Sequence, residues 1–239
     1  MRKIFLLFIT ALITFTSFAQ KKKKTYNLGN RAADHIMVQL SYDHWLGMPD
    51  SISSHAKGFS RGLNIYGMID KPFHGNPKFS VAFGIGIGSS SIVFKKMFVD
   101  ISSANPTVPF INQDSTNNFK KFKLSTSFVE IPLEFRFSSN PENPNKSTKF
   151  AIGIKGGTML NAHTKAKQLR DAAGKTLNAA TFKESTKSYF NTTRLVATAR
   201  VGYGIFSLFG AYNITPVFKD GVASPDIRTL QVGLTISGL

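Results

Sequence analysis

No cysteine occurs anywhere in the chain. That removes disulfides, thiolate metal sites and a lipid-modified cysteine behind a leader. Acid is scarce as well, with 13 Asp and Glu against 30 Lys and Arg, a formal charge of +17. So basic a balance commonly signals nucleic acid, but the amino terminus points to export, and no nucleic-acid partner is expected. Long apolar runs are also missing. Beyond the first residues no segment approaches the ~18 apolar positions that a membrane helix needs, so a helical membrane protein is excluded. The five histidines, His35, His44, His55, His74 and His163, lack ligand spacing. No metal and no other cofactor is expected.

The one apolar run is Ile4 to Phe15, preceded by Arg2-Lys3 and followed by Thr16-Ser17-Phe18-Ala19-Gln20. Charge, a short apolar core and small residues before the cut describe a secretory signal. Residues 1–19 are therefore read as a cleaved signal peptide, 20–33 as a periplasmic linker carrying Lys21 to Lys24, and 34–239 as a barrel.

What is present is alternation. In Phe128-Val129-Glu130-Ile131-Pro132-Leu133-Glu134-Phe135-Arg136-Phe137 the odd positions are apolar and the even ones from Glu130 to Arg136 are charged or proline. An extended strand sends successive side chains to opposite faces, so one face is oily and the other ionic. Several charges inside a small soluble core would be costly; lipid outside and a hydrated lumen inside accommodate both faces. Phe79 to Phe94 alternates bulky Phe79, Val81, Phe83, Ile85 and Ile87 with small Ser80, Ala82, Gly84, Gly86 and Gly88. The small face leaves room for long lumen side chains from other strands. Similar patterns at 36–45, 59–70, 150–155, 194–203, 208–215 and 230–236 complete about eight strands. Short and long connections alternate between them, so the long ones are expected outside the cell and both termini in the periplasm. The expected fold is all-β: a single transmembrane up-and-down antiparallel barrel in the outer membrane.

Within that frame Trp45 is expected in an interfacial aromatic girdle, and Pro132, which lacks a donor, at a bulge or beside an unpaired carbonyl. Residues 95–121 and 163–189 are read as polar loops. The second holds Lys165, Lys167, Arg170, Lys175, Lys183 and Lys187 against Asp171 and Glu184. It is either a solvated face or a contact for glycolipid phosphates, so membrane lipid and lipopolysaccharide are the expected partners, with other envelope proteins.

Three pieces resemble a known family. The 128–137 strand resembles the valine-glutamate-isoleucine-proline strand of PorT-like outer-membrane barrels from Bacteroidota. Gly202 to Phe218 is similar to their penultimate hairpin and Leu230-Gln231-Val232-Gly233-Leu234 to their closing strand. The resemblance implies an outer-membrane location. The secretion role of the named PorT member is not implied, because no match specific to that member lies outside these strands.

Enzymatic signatures are weak. Gly58-Phe59-Ser60-Arg61-Gly62 has the nucleophile-elbow spacing without its strand–turn–helix setting. Gly84-Ile85-Gly86-Ile87-Gly88 lies inside a strand, where no dinucleotide loop forms. Asp43, His44 and Ser60 could meet at a rim, but adjacent Asp43 and His44 point to opposite faces. No enzymatic activity is expected. The candidate site is a lumen charge network of Glu130, Glu134, Arg136, Lys155, Arg194 and Arg200. Antiparallel pairing sets Lys155 opposite Pro132, diagonal to both glutamates. Such a network can plug a narrow barrel in a protein with a structural or envelope-complex, secretion-associated role. The alternatives are a small passive pore and a rim enzyme acting on lipid.

Overall fold

The computed structural model describes residues 36–56, 59–223 and 225–237, so the signal peptide and linker lie outside the described residues. In chain order the elements are β1 (Ile36–Leu46), α1 (Asp50–Ser53), β2 (Arg61–Pro72), β3 (Phe79–Phe94), β4 (Met97–Val99), β5 (Phe110–Asn112) and β6 (Asn118–Ser138). There follow a 3-10 turn (Pro144–Lys146), β7 (Thr148–Arg170), β8 (Thr176–Ser185), β9 (Thr193–Tyr203), β10 (Phe206–Asn213) and β11 (Arg228–Ser237).

Eight strands close a barrel in the order β1-β2-β3-β6-β7-β9-β10-β11. Each is antiparallel to its neighbours, and β1 pairs with β11 (Leu40 opposite Leu234) to leave no open edge in the wall. Closure is what permits strands to cross lipid, since the backbone of each strand pairs with the next instead of facing hydrocarbon. The short connections lie at the end that carries the start of β1, the long ones at the other.

The wall is oily outside. Ile131, Phe83 and Leu234 are 60%, 40% and 55% exposed, and Ile85, Ile152, Leu63 and Leu208 also point outward. Soluble monomers rarely expose so continuous an apolar surface, and its outward facing excludes a lipocalin-like barrel with its apolar face around a ligand. At the end with the short connections Phe79, Phe135, Phe137 and Phe150 form a chain of ring contacts, with Phe79 and Phe137 centroids 5.2 Å apart.

Several expectations need correction. Trp45 belongs to no girdle: it is 3% exposed and packs edge-on against Phe94 and Phe218 inside the barrel mouth. It shares the strand parity of Gln39, Ser41 and Asp43, all of which face inward. Pro132 causes no bulge, but the other expectation, a local break in pairing beside it, holds. Pro132 stays in register opposite Lys155, and the β3–β6 ladder omits the two positions at Gly84 and Ile85 before resuming at Gly86. The shift falls instead between Ser127 and Phe128, where Leu160 is the extra residue of β7.

Residues 95–121 are not a simple polar loop. Met97, Val99, Ile101 and Val108 are buried, and β6 already begins at Asn118. The expected loop at 163–189 is mostly strand, the end of β7 and the added β8. Backbone pairing between β6, β7 and β8 carries the sheet beyond the apolar band, where side-chain alternation no longer announces it.

Candidate functional site in the barrel lumen

Upward from the end with the short connections, the inward positions of β6 read Arg136, Glu134, Pro132, Glu130, Phe128, Thr126, Leu124 and Phe122. The lumen changes character along that list.

The lower half is ionic. Glu134 Oε2 accepts from Arg136 Nε at 2.8 Å and from Arg200 Nη2 at 2.9 Å, binding β6 to β9. Arg136 also lies 3.9 Å from Asp70 of β2, and Arg200 reaches Ser237 of β11 at 3.3 Å. One layer up, Glu130 accepts from Arg194 at 2.7 Å and lies 3.6 Å from Lys155 Nζ. The Tyr66 hydroxyl donates to Glu130 at 2.5 Å and accepts from Lys155 at 3.0 Å. All six side chains singled out from the sequence therefore lie in the lumen, in two clusters centred on Glu130 and Glu134.

The sequence did not single out Tyr66, Asp70 or Asp43 for this network. Asp43 accepts from Ser41 at 2.5 Å and from Gln231 at 3.0 Å. Their inward parity was legible, but the partners of Tyr66 and Asp70 arrive from β6 and β7, strands not adjacent to β2, and that of Asp43 from β11, far along the chain. Taken together, Asp43, Asp70, Glu130 and Glu134 balance Arg136, Lys155, Arg194 and Arg200 in formal charge. The glycines of β3 make the room: a Cβ on Gly86 would strike the Tyr66 ring, and one on Gly88 would strike Glu130 and Arg194.

The upper half is apolar. Trp45, Ile92, Phe94, Met97, Val99, Ile101, Phe122, Phe128, Phe190, Phe218 and Ile227 belong to one buried cluster drawn from strands and loops. Loops are cross-tied above it. Tyr189 Oη reaches the Ser103 carbonyl at 2.7 Å, Asn191 Nδ2 donates to the Phe218 carbonyl at 2.7 Å, and Val108 N donates to Val222 O at 3.1 Å. At the border the Arg194 guanidinium lies 3.9 Å over the Phe128 ring, a cation–π contact between the halves. A cavity of about 20 Å³ beside Arg194, Thr126 and Asn213 has room for roughly one water.

The residues weighed for rim chemistry do not converge. Asp43 and Ser60 are buried whereas His44 is exposed on the opposite face of β1. Among the described residues no group of three or more His, Asp or Glu side chains is placed to hold a metal ion.

An oily wall, an ionic interior and complete antiparallel closure define an outer-membrane β-barrel protein. Comparison with known proteins gives the family: residues 18–219 match the outer membrane protein beta-barrel domain, and the chain belongs to it. None of the curated proteins matches the sequence. Among solved structures, the chain is similar to Ail, the attachment invasion locus protein of Yersinia pestis, at 12% identity and a TM-score of 0.33, covering 84% of this chain and 94% of Ail. A second Ail structure, in complex with the heparin analogue sucrose octasulfate, is similar at 9% identity and a TM-score of 0.32 with the same coverage. At those scores no residue-by-residue correspondence follows.

Proposed function

We propose that this is a non-conducting outer-membrane barrel that acts through its surfaces as a structural or secretion-associated part of the envelope. The observation that carries the reading is the double closure of the lumen, paired charges below and an apolar cap above. A pore needs a continuous hydrated path; here the charges are spent on one another and the mouth is packed with Phe, Ile and Met. The rim-enzyme alternative lacks such support, since His44 faces away from Asp43. On this reading the protein is one of the PorT-like barrels of Bacteroidota, which the strand around Glu130-Ile131-Pro132-Leu133-Glu134 supports, and residues 1–19 are a signal peptide removed on export. Lipopolysaccharide and neighbouring envelope proteins are its partners in this reading.

Planar-bilayer recording of the refolded protein tests the closure. Wild type should pass no steady current. Glu134→Ala should lower the temperature at which the folded gel band converts to the unfolded one, yet open no large channel, because the cap remains. A large new single-channel current in that variant, or in wild type, would overturn the plug.

A further inference from the structure

The bulge at Leu160 has a consequence on the outside of the barrel. Below it the odd residues of β7 (Ala151, Lys155, Met159) face the lumen; above it the even ones (Ala162, Thr164, Ala166) are buried. Odd residues Lys165 and Lys167 are thereby turned outward. A bulge re-aims every side chain beyond it.

Outward lysines of the neighbouring strands meet them directly. Lys123 of β6 stands opposite Lys165, which stands opposite Lys183 of β8; Lys121 stands opposite Lys167. Arg61 at the top of β2 is close enough for its charge to act on Lys123, and His163 lies within the fields of Lys123, Lys165 and Lys183. Like charges at directly opposed positions destabilise a sheet. Among the described residues none of these five lysines has an acidic partner. The nearest acid in sequence, Glu184, pairs with Thr164 on the other face and lies 3.5 Å from Ser102.

The cluster is continuous with the lipid-facing wall. On β6 the odd positions run Phe137, Phe135, Leu133, Ile131 and Val129, then Ser127 and the covered Ser125, then Lys123 and Lys121. Lys123 is thus ~20 Å along a tilted strand beyond the last apolar residue, at the height of sugar head groups rather than acyl chains.

We propose that the outward face of the β6–β7–β8 extension binds the phosphates of an outer-leaflet glycolipid head group, with Lys121, Lys123, Lys165, Lys167 and Lys183 as its donors and Arg61 at its margin. This deepens the proposed lipopolysaccharide contact and rests on the orientation that puts the long loops outside the cell. Bound phosphates neutralise the opposed lysines while the acyl chains of the same molecule lie along Val129, Ile131 and Leu133. Anchoring by both ends favours a lipid over a free polyanion.

The test uses the full chain in phosphatidylcholine vesicles, titrated with purified lipopolysaccharide, with the same material after removal of its phosphates, and with soluble inorganic polyphosphate. Phosphorylated lipopolysaccharide should bind about ten-fold more tightly than the dephosphorylated form, and the advantage should shrink as salt rises. The variant K123Q/K165Q/K167Q/K183Q should lose that advantage, and the matching arginine variant should keep it. Because these residues lie beyond the membrane span, the folded gel band should survive in both; should the fourfold variant fail to fold, K123Q/K165Q alone should still lose most of the advantage. Equal binding of the two lipopolysaccharides by inserted protein would overturn the site, as would tight polyphosphate binding with none of the glycolipid. Failure of wild type to insert at all would instead indict the barrel orientation.

Discussion

The two halves of the lumen are closed by different physics, although the same strand, β6, lines both. Below Phe128, closure comes from side chains fixed on paired strands and joined by charge-assisted hydrogen bonds. Above it, closure comes from loop residues gathered around Trp45, Phe94 and Phe122 as in a small soluble core. Ionic closure is directional. It requires Glu130 to meet Arg194 of β9 and Lys155 of β7, so it favours one register over its neighbours, while desolvation takes back much of the Coulomb gain. Apolar closure is tolerant of detail and depends on area withdrawn from water. The hydrophobic effect can drive the cap because the loops meet water; it cannot hold the lipid-facing wall together, where the backbone ladder does that work.

The contrast predicts unequal responses to mutation. Glu130→Ala should have the largest effect, because it leaves Arg194 and Lys155 buried without the carboxylate they bond. Stranding buried partners costs ~3–5 kcal/mol, which would appear as a lower urea midpoint for loss of the folded gel band. Asp220→Ala, an exposed acid, is the control. Equal effects of the two changes would mean that the lower half is not held by its ion pairs.

Phe122→Ala should come next. Truncating a buried Phe costs ~3–5 kcal/mol in a rigid core, and less here because loops can settle into the space. Trp45 is the single tryptophan, so its emission reports the cap alone. In this variant the emission should shift to the red at a lower urea concentration than the gel band is lost. If both transitions move together, cap and barrel are one cooperative unit and the division at Phe128 has no energetic meaning.

The same division separates what could be read in the sequence from what could not. β3 was legible from Phe79 to Gly88 because its alternation is unbroken there. Pairing across the Asn143 turn placed Lys155 opposite Pro132 because a short hairpin fixes register. Those two features made the lumen charges visible. Tyr66 shared their parity, but its bond to Glu130 spans 64 residues of sequence, and nothing local announces such a partner. The cap was hidden for another reason. Met97, Val99, Ile101 and Val108 lie in pieces of chain too short to show a period, among enough Ser, Asn and Pro to look like solvated loop. Leu160 hid the outer lysine face by reversing the parity that a reader would extend through β7.

The weakest contact offers the finest test of the cap's independence. The first long loop, after α1, is tied to the second by His55, whose Nε2 lies 3.0 Å from Asp114 Oδ2, with Lys96 Nζ 3.8 Å from the other oxygen. The His55 hydrogen bond, aided by Asn112, holds the Asp114 carboxyl below its ordinary value. A group depressed in the folded state contributes its stabilisation above its unfolded value and loses it as pH falls through the folded one. The tie should therefore be intact at neutral pH and release only on the acid side of ~4. Asp114 is solvent-exposed, so the energy is small and its readout must be local: pepsin cleavage around Phe110 should rise between pH 4 and about 2 in wild type. Asp114→Asn should cleave at one rate across that range, with the gel band and Trp45 emission unchanged. Acid-induced loss of the gel band over the same interval would show that releasing one loop tie unseats the barrel, and the cap could no longer be treated as a separate structure resting on it.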